Sequence, residues 1–283
     1  MLRYLIALAL LPLVLMLGSN GLVLAQSKQP NIRAAHALVL NGQGKPLISK
    51  NADQATPIAS ITKLMTAMVV LDAGQPLDQI LKITKADRDT LKNTSSRLRF
   101  GGRLSRGKML TISLSSSENR AAHALARHYP GGVKGFVQAM NQKAEALGMS
   151  HTRFADPTGL SPNNISTAND LAKLVQAAMD YPLIRRATTS TYNQVYPFKN
   201  RGPLEYRVTN RFLRNDNPNW EVLLSKTGYI REAGRCLVMR ARTAGQDLTI
   251  ILLKAQGKLT PYGDSNRIRK WLLQGNSQVA WQH

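Results

Sequence analysis

The chain has 283 residues and a formal net charge of +22, from 38 Lys+Arg against 16 Asp+Glu. That length allows one large domain or two small ones with a substantial core, and the single cysteine, Cys236, excludes an intrachain disulfide. The charge favours a polyanionic partner or an anionic surface, but no basic stretch interleaved with aromatics stands ready to stack bases, so nucleic acid is not expected.

Residues 1–25 read as a cleaved export signal. Arg3 supplies the positive start, Tyr4 to Leu17 the apolar run, and Val23-Leu24-Ala25 a small-residue cleavage site. The alternative, a retained anchor, is too short: fourteen helical residues reach roughly 21 Å against a hydrocarbon core of roughly 30 Å. Export without disulfides suits a bacterial periplasm, with an anionic cell-wall polymer or membrane surface as the partner of the charge.

Residues 26–283 then read as one domain. Ala34 to Leu40 and Leu47 to Ser49, joined by Asn41-Gly42-Gln43-Gly44-Lys45-Pro46, predict a β-hairpin. From Thr56 to Gly74 an apolar run lies between Pro57 and Ser60 at its start and Gly74 past its end, which predicts a buried helix. Ile80 to Ile83 is a short apolar run, and Leu104 to Leu114 a helix. Ser115 to Asn119 breaks it, Arg120 to His128 resumes helix, and Pro130-Gly131-Gly132 stops it. Val133 to Leu147 carries Phe136, Met140, Ala144 and Leu147 at helical spacing. Asp156-Pro157-Thr158-Gly159-Leu160-Ser161-Pro162 is dense in turn signals, and Thr167 with Asp170 predicts a capped helix to Met179.

Beyond it, Thr191 to Phe198, Leu204 to Val208, Val222 to Ser225, Arg235 to Ala241 and Leu248 to Leu253 read as strands joined by short turns, hence antiparallel, before a closing helix around Ile268 to Leu273. A helical lobe over about 60–185 is thus inserted into a sheet lobe of about 34–59 plus 190–275. The expected fold class is α+β.

Three short motifs carry chemistry. Ser60 and Lys63 are three apart, so on a helix they share one face, and a serine at a helix start meets free N–H groups that favour developing negative charge. A lysine one turn on can act as its base if its own charge is suppressed. The pattern is weak alone: Ser105 and Lys108 repeat it in a glycine-flanked basic segment that reads as a solvated turn. Ser117-Glu118-Asn119 lies in the polar break between two helices, and Ser161-Pro162-Asn163 matches its spacing too. Lys226-Thr227-Gly228 occurs once, after the apolar Val222-Leu223-Leu224, where it reads as a strand end whose glycine lets another backbone lie close.

In this order the three motifs resemble the signature of penicillin-recognising serine enzymes. With Ile-Ala-Ser-Ile-Thr-Lys-Leu-Met-Thr-Ala, Ser-Ser-Glu-Asn-Arg-Ala-Ala and Lys-Thr-Gly-Tyr-Ile-Arg-Glu-Ala-Gly-Arg-Cys-Leu-Val around them, roughly residues 35–275 resemble the low-molecular-weight D-alanyl-D-alanine peptidases, serine peptidase family S11. The resemblance implies the penicillin-binding protein/serine β-lactamase-like fold, an antiparallel sheet flanked by helices with an inserted helical lobe. It also implies Ser60 as nucleophile, Lys63 as base and Ser117 as a proton relay to the leaving amine. Asn119, Lys226, Thr227, Gly228 and Tyr229 fall to substrate binding, with the backbone N–H groups of Ser60 and Tyr229 as oxyanion donors. A lysine of pKa about 10.4 must drop by about three units to serve near pH 7; burial and a second nearby cation supply such shifts, and Lys226 is the expected cation. No metal or cofactor is expected, since the five histidines lack zinc-ligand spacing.

Peptidoglycan peptide stems are the implied substrate and β-lactams the implied covalent inhibitors. No clear Glu-x-x-Leu-Asn segment stands to position a deacylating water, which disfavours a β-lactamase. With 55 residues after Gly228, the chain is expected to carry neither a second β-domain nor an anchoring helix, and so resembles the periplasmic D-alanyl-D-alanine endopeptidases. The alternatives are a D-alanyl-D-alanine carboxypeptidase trimming pentapeptide stems and a non-catalytic wall- or polyanion-binding protein.

Overall fold

The computed structural model describes residues 29–280; the export signal expected over 1–25 lies outside them. The chain opens with strand β1 (His36–Leu40), strand β2 (Pro46–Lys50) and the two-residue β3 (Thr56–Pro57). Helix α1 (Thr62–Asp72) follows, then β4 (Ile80–Lys82), β5 (Arg103–Ser105), α2 (Arg106–Ser115), α3 (Asn119–Arg127) and α4 (Gly132–Ala146). After β6 (Ile165–Ser166) come α5 (Ala168–Ala178), α6 (Pro182–Thr189), the hairpin β7 (Tyr192–Val195) and β8 (Leu204–Arg207), and the short α7 (Arg211–Arg214). Three ten-residue strands, β9 (Glu221–Ile230), β10 (Gly234–Thr243) and β11 (Gln246–Ala255), precede the closing helix α8 (Thr260–Ala280).

The main sheet runs β2-β1-β11-β10-β9, antiparallel at every pairing. Alternate residues of its central strands feed two cores. Leu38, Val238 and Ile251 pack towards the helical lobe, while Val39, Met239 and Ile250 pack towards Phe212, Trp220 and α8. Thr62 to Val70 of α1 is buried all round, so this helix is the axis about which the other helices are laid. Among the described residues no helix is long and apolar enough to cross a membrane.

Four details depart from the sequence reading. Strands β7 and β8 pair with each other outside the main sheet, because the segment is tied to the end of α2: Asn193 Nδ2 donates to Ser115 Oγ (3.1 Å), Ser116 Oγ to Arg207 O (2.9 Å) and Thr209 N to Ser115 O (3.0 Å). Lys226-Thr227-Gly228 sits in the middle of β9, paired through to Ile230 with β10, and not at a strand end. The helix expected from Thr56 begins only at Thr62; Thr56 and Pro57 pair with Ser166 and Ile165, and a 3₁₀ turn spans Ala59–Ile61. The second Ser-x-x-Lys is a cap rather than a solvated turn: Ser105 Oγ accepts the Lys108 N–H at the start of α2.

Candidate active site

Ser60 lies in the 3₁₀ turn at the mouth of α1, between the helical lobe and the edge strand β9. Its position is set by backbone. Ile58 N donates to Asn164 O (3.0 Å), and Thr62 Oγ1 donates to Ala59 O (2.8 Å). Ala59 is held at φ +48°, in the left-handed region an alanine seldom occupies. Two glycines make room for this. A Cβ on Gly159 (φ +81°) would lie 2.0 Å from Ala59 O, and one on Gly228 would lie 3.0 to 3.1 Å from Ile58 O, Ala59 Cβ and Ser60 N. Gly228 is therefore the residue that lets β9 run alongside the Ser60 amide.

Lys63 is fully buried, and its Nζ reaches three oxygens: Ser60 Oγ at 2.9 Å, Asn119 Oδ1 at 2.8 Å and Thr158 O at 2.6 Å. Burial drives its pKa down to about 8, while the carboxylates of Asp156, Glu118 and Asp89 oppose the shift. Burial, and not the charge of Lys226, is thus the main source of the suppressed charge expected from the sequence. Lys226 is buried as well, and burial together with the Lys63 charge pushes its pKa well below the ordinary lysine value.

Ser117 stands at φ +62° in the break between α2 and α3, and its Oγ accepts a hydrogen bond from Lys226 Nζ (3.1 Å). Asn119 opens α3; its Nδ2 donates to Thr94 Oγ1 (3.1 Å) while its Oδ1 takes the Lys63 ammonium. Beneath α3 the buried Asp87 carboxylate receives His123 and Arg127 at 2.9 Å; burial opposes its charge, but these hydrogen bonds outweigh it and hold the pKa at about 2. Thr227 Oγ1 donates to Thr209 Oγ1 (2.7 Å), and Tyr229 is half exposed under the Arg235 guanidinium, whose carbon lies 3.8 Å from the ring centre. Ser60, Ser117, Asn119, Thr227, Gly228 and Tyr229 line one cleft of about 370 Å³, and Lys63 and Lys226 reach it from beneath.

Two contributions escaped the motifs. The first is the Thr158 carbonyl, a backbone acceptor with no side-chain signature. Its loop was legible only as a turn, yet Asp156 Oδ1 accepts the Gly159 N–H (2.9 Å), Asp156 Oδ2 that of Ser161 (2.9 Å), and Asn164 Oδ1 that of Ala155 (2.7 Å), which sets the carbonyl in place. The second is Glu118, the middle residue of Ser117-Glu118-Asn119. It is buried, caps α3 through the Arg120 N–H and accepts Ser96 Oγ at 2.7 Å, pinning the strained Ser117 to the 94–98 loop. The other Ser-x-Asn is a local turn in which the Asn163 N–H meets Ser161 Oγ (3.1 Å). Cys236 is a buried strand thiol, as expected, with burial pushing its pKa up to about 11.

Known proteins resemble this chain in sequence and in fold. The chain is 46% identical over 248 residues to a D-alanyl-D-alanine endopeptidase of Pseudomonas aeruginosa, covering 87% of this chain and 79% of that one. It is 45% identical over 251 residues to a D-alanyl-D-alanine endopeptidase of Escherichia coli, covering 88% and 80%. Among solved structures it superposes on the DD-transpeptidase of Streptomyces K15 with a TM-score of 0.79 at 28% identity, over 87% of this chain and 99% of that one. The family described as D-alanyl-D-alanine carboxypeptidase, peptidase S11, matches residues 24–257, and with the fold and the Ser60–Lys63 pair in view the chain belongs to that family of serine peptidases.

Proposed function

We propose that this chain is a serine DD-endopeptidase that cuts D-alanyl cross-links between peptide stems of peptidoglycan through an acyl-ester on Ser60. The observation that carries the reading is the Lys63 amine 2.9 Å from Ser60 Oγ with a pKa of about 8, which leaves a usable neutral fraction near neutrality.

The chemistry follows from the contacts. Neutral Lys63 accepts the Ser60 proton as Oγ bonds to the carbonyl carbon of the D-Ala peptide bond. Asn119 Oδ1 and Thr158 O hold the resulting ammonium, so the base stays in place once charged. The backbone N–H groups of Ser60 and Tyr229 face the developing oxyanion, a contribution of roughly 3–4 kcal/mol to the barrier. Lys226 donates to Ser117 Oγ, so the Ser117 O–H protonates the departing amine as the C–N bond breaks and Lys226 gives Ser117 a proton in return. Water then attacks the ester carbonyl, passing its proton through Ser117 to Lys226, while Lys63 returns its proton to Ser60 Oγ as the C–O bond breaks. Thr227, with Lys226 behind it, takes the carboxylate beside the scissile bond.

A strained β-lactam amide meets the same nucleophile, so penicillins acylate Ser60. The site belongs in the periplasm, and the charge of +21 left once Arg3 is removed with the signal retains the protein on the anionic wall. The test is intact-mass analysis after incubation with a penicillin. The native chain gains one penicilloyl adduct, carried by the peptide containing Ser60, and Ser60→Ala gains none. An adduct on Ser60→Ala, or none on the native chain, refutes the assignment.

A further inference from the structure

Directly opposed residues of an antiparallel pair point to the same face of a sheet. Thr227 and Leu237 are register partners, as are Tyr229 and Arg235, so all four share the face of β9 and β10 turned towards α7 and the start of α8. The cleft continues over this face past Thr227. Its wall there carries Arg211, Arg214, Arg235 and Lys258, and no aspartate or glutamate lines the cleft.

These cations are unneutralised. Among the described residues none of the four is in an ion pair, whereas Glu232 is paired with Lys92, Glu221 and Asp247 with Arg242, and Asp264 with Arg267. Two of the guanidiniums are also held in place. Arg214 donates Nε and Nη2 to Val208 O (3.3 and 2.8 Å), which leaves its Nη1 for a ligand, and Arg235 is stacked on Tyr229. The Tyr262 hydroxyl accepts the backbone N–H of Arg211 at 3.2 Å, and Tyr262, Arg211, Arg214 and Arg235 line the same cleft. Gathering like charges around a partly enclosed cleft is unfavourable unless an anion binds there.

We infer that this cluster is a second anion subsite, which takes a further carboxylate of the acceptor peptide, the half of the cross-link that leaves. The inference rests on the endopeptidase reading. A single departing D-Ala presents one carboxylate, which Thr227 and Lys226 meet beside the scissile bond. An acceptor stem is itself a peptide with carboxylates farther along, and only such a leaving group reaches Arg214 and Arg235. The subsite therefore selects cross-links over terminal residues.

The experiment uses Arg214→Gln, Arg235→Gln and the double variant on three probes: cross-linked dimers, the same dimers with the acceptor carboxylates amidated, and labelled penicillin. Expected is a rise in KM for native dimers of about tenfold per charge removed, with kcat within twofold. Amidated dimers should show the high KM with every form of the protein. Penicillin acylation should stay within twofold, which also reports that the variants are folded. An unchanged KM for native dimers in the double variant overturns the subsite alone, and so does an equal loss on native and amidated dimers. Dimers left intact by the unsubstituted chain, with penicillin still bound, overturn the endopeptidase reading and the subsite with it.

Discussion

Replacing Lys63 with arginine is expected to slow acylation of Ser60 by penicillin about 10³-fold, the scale of a lost general base. Arginine retains the positive charge and can still donate to Asn119 and Thr158, but it cannot give up a proton near neutrality. The loss therefore reports on proton transfer and not on the charge of the site. The pH profile of the unsubstituted chain carries the same information. With the Lys63 pKa at about 8, the acylation rate constant should climb roughly tenfold per pH unit through the acid side and level off above pH 8, as the neutral amine becomes the major form. The sign follows from the base working deprotonated: lowering pH protonates it and removes activity. A flat profile between pH 6 and 9, or near-full activity in Lys63→Arg, would remove Lys63 from the base role.

The second large effect falls on a residue that never touches substrate. Gly159→Ala places a Cβ 2.0 Å from the Ala59 carbonyl oxygen and 2.4 Å from its carbon, at a φ of +81°. Backbone strain and overpacking together should cost about 2–4 kcal/mol, a fall of roughly 5–15 °C in Tm for a domain of this size. The atoms displaced are the two residues that set Ser60, so acylation should drop by more than about 10²-fold in protein that remains folded. Gly74→Ala is the control. Gly74 also has a positive φ (+62°) but nothing within 4 Å of the added Cβ, so only the strain, about 1 kcal/mol, applies. Equal effects at the two glycines would show that the contact with Ala59 does not matter.

What could be read from the chain, and what could not, divides along physical lines. Helix α1 was legible because its apolar run is continuous and Gly74 marks its end; its start was not, since Pro57 pairs with Ile165 and a 3₁₀ turn precedes Thr62. The antiparallel β9-β10-β11 meander was legible because its connections are short. Ser60, Lys63, Ser117, Asn119, Lys226 and Thr227 were legible through the order of three motifs that are each weak alone, and the fold brings them to one cleft. The left-handed Ala59 was not, since its backbone is packed against Gly159 and against β9 at Gly228, both far away in the sequence. Nor was the Thr158 carbonyl, because any residue supplies a carbonyl and only the Asp156 and Asn164 hydrogen bonds aim this one at Lys63. Strands β7 and β8 carry an ordinary strand pattern, and nothing local says that their partners are each other and the end of α2. Of the two causes expected for the depressed Lys63 pKa, burial is the one that acts, and its extent is a property of the packed lobe; Lys226 is not among the charges that shift it.

The positive charge has the same two levels. In the composition it is a total, +22, that suggests retention on an anionic polymer. In the structure part of it, Arg211, Arg214, Arg235 and Lys258, is concentrated within the cleft, where the inferred anion subsite lies.

The most direct measurement is incubation of the mature chain, and of Ser60→Ala beside it, with purified cross-linked peptidoglycan dimers and with pentapeptide monomers. The account predicts monomers released from dimers by the unsubstituted chain and none by Ser60→Ala. Free D-Ala from pentapeptides with the dimers left intact would contradict it and make the chain a carboxypeptidase.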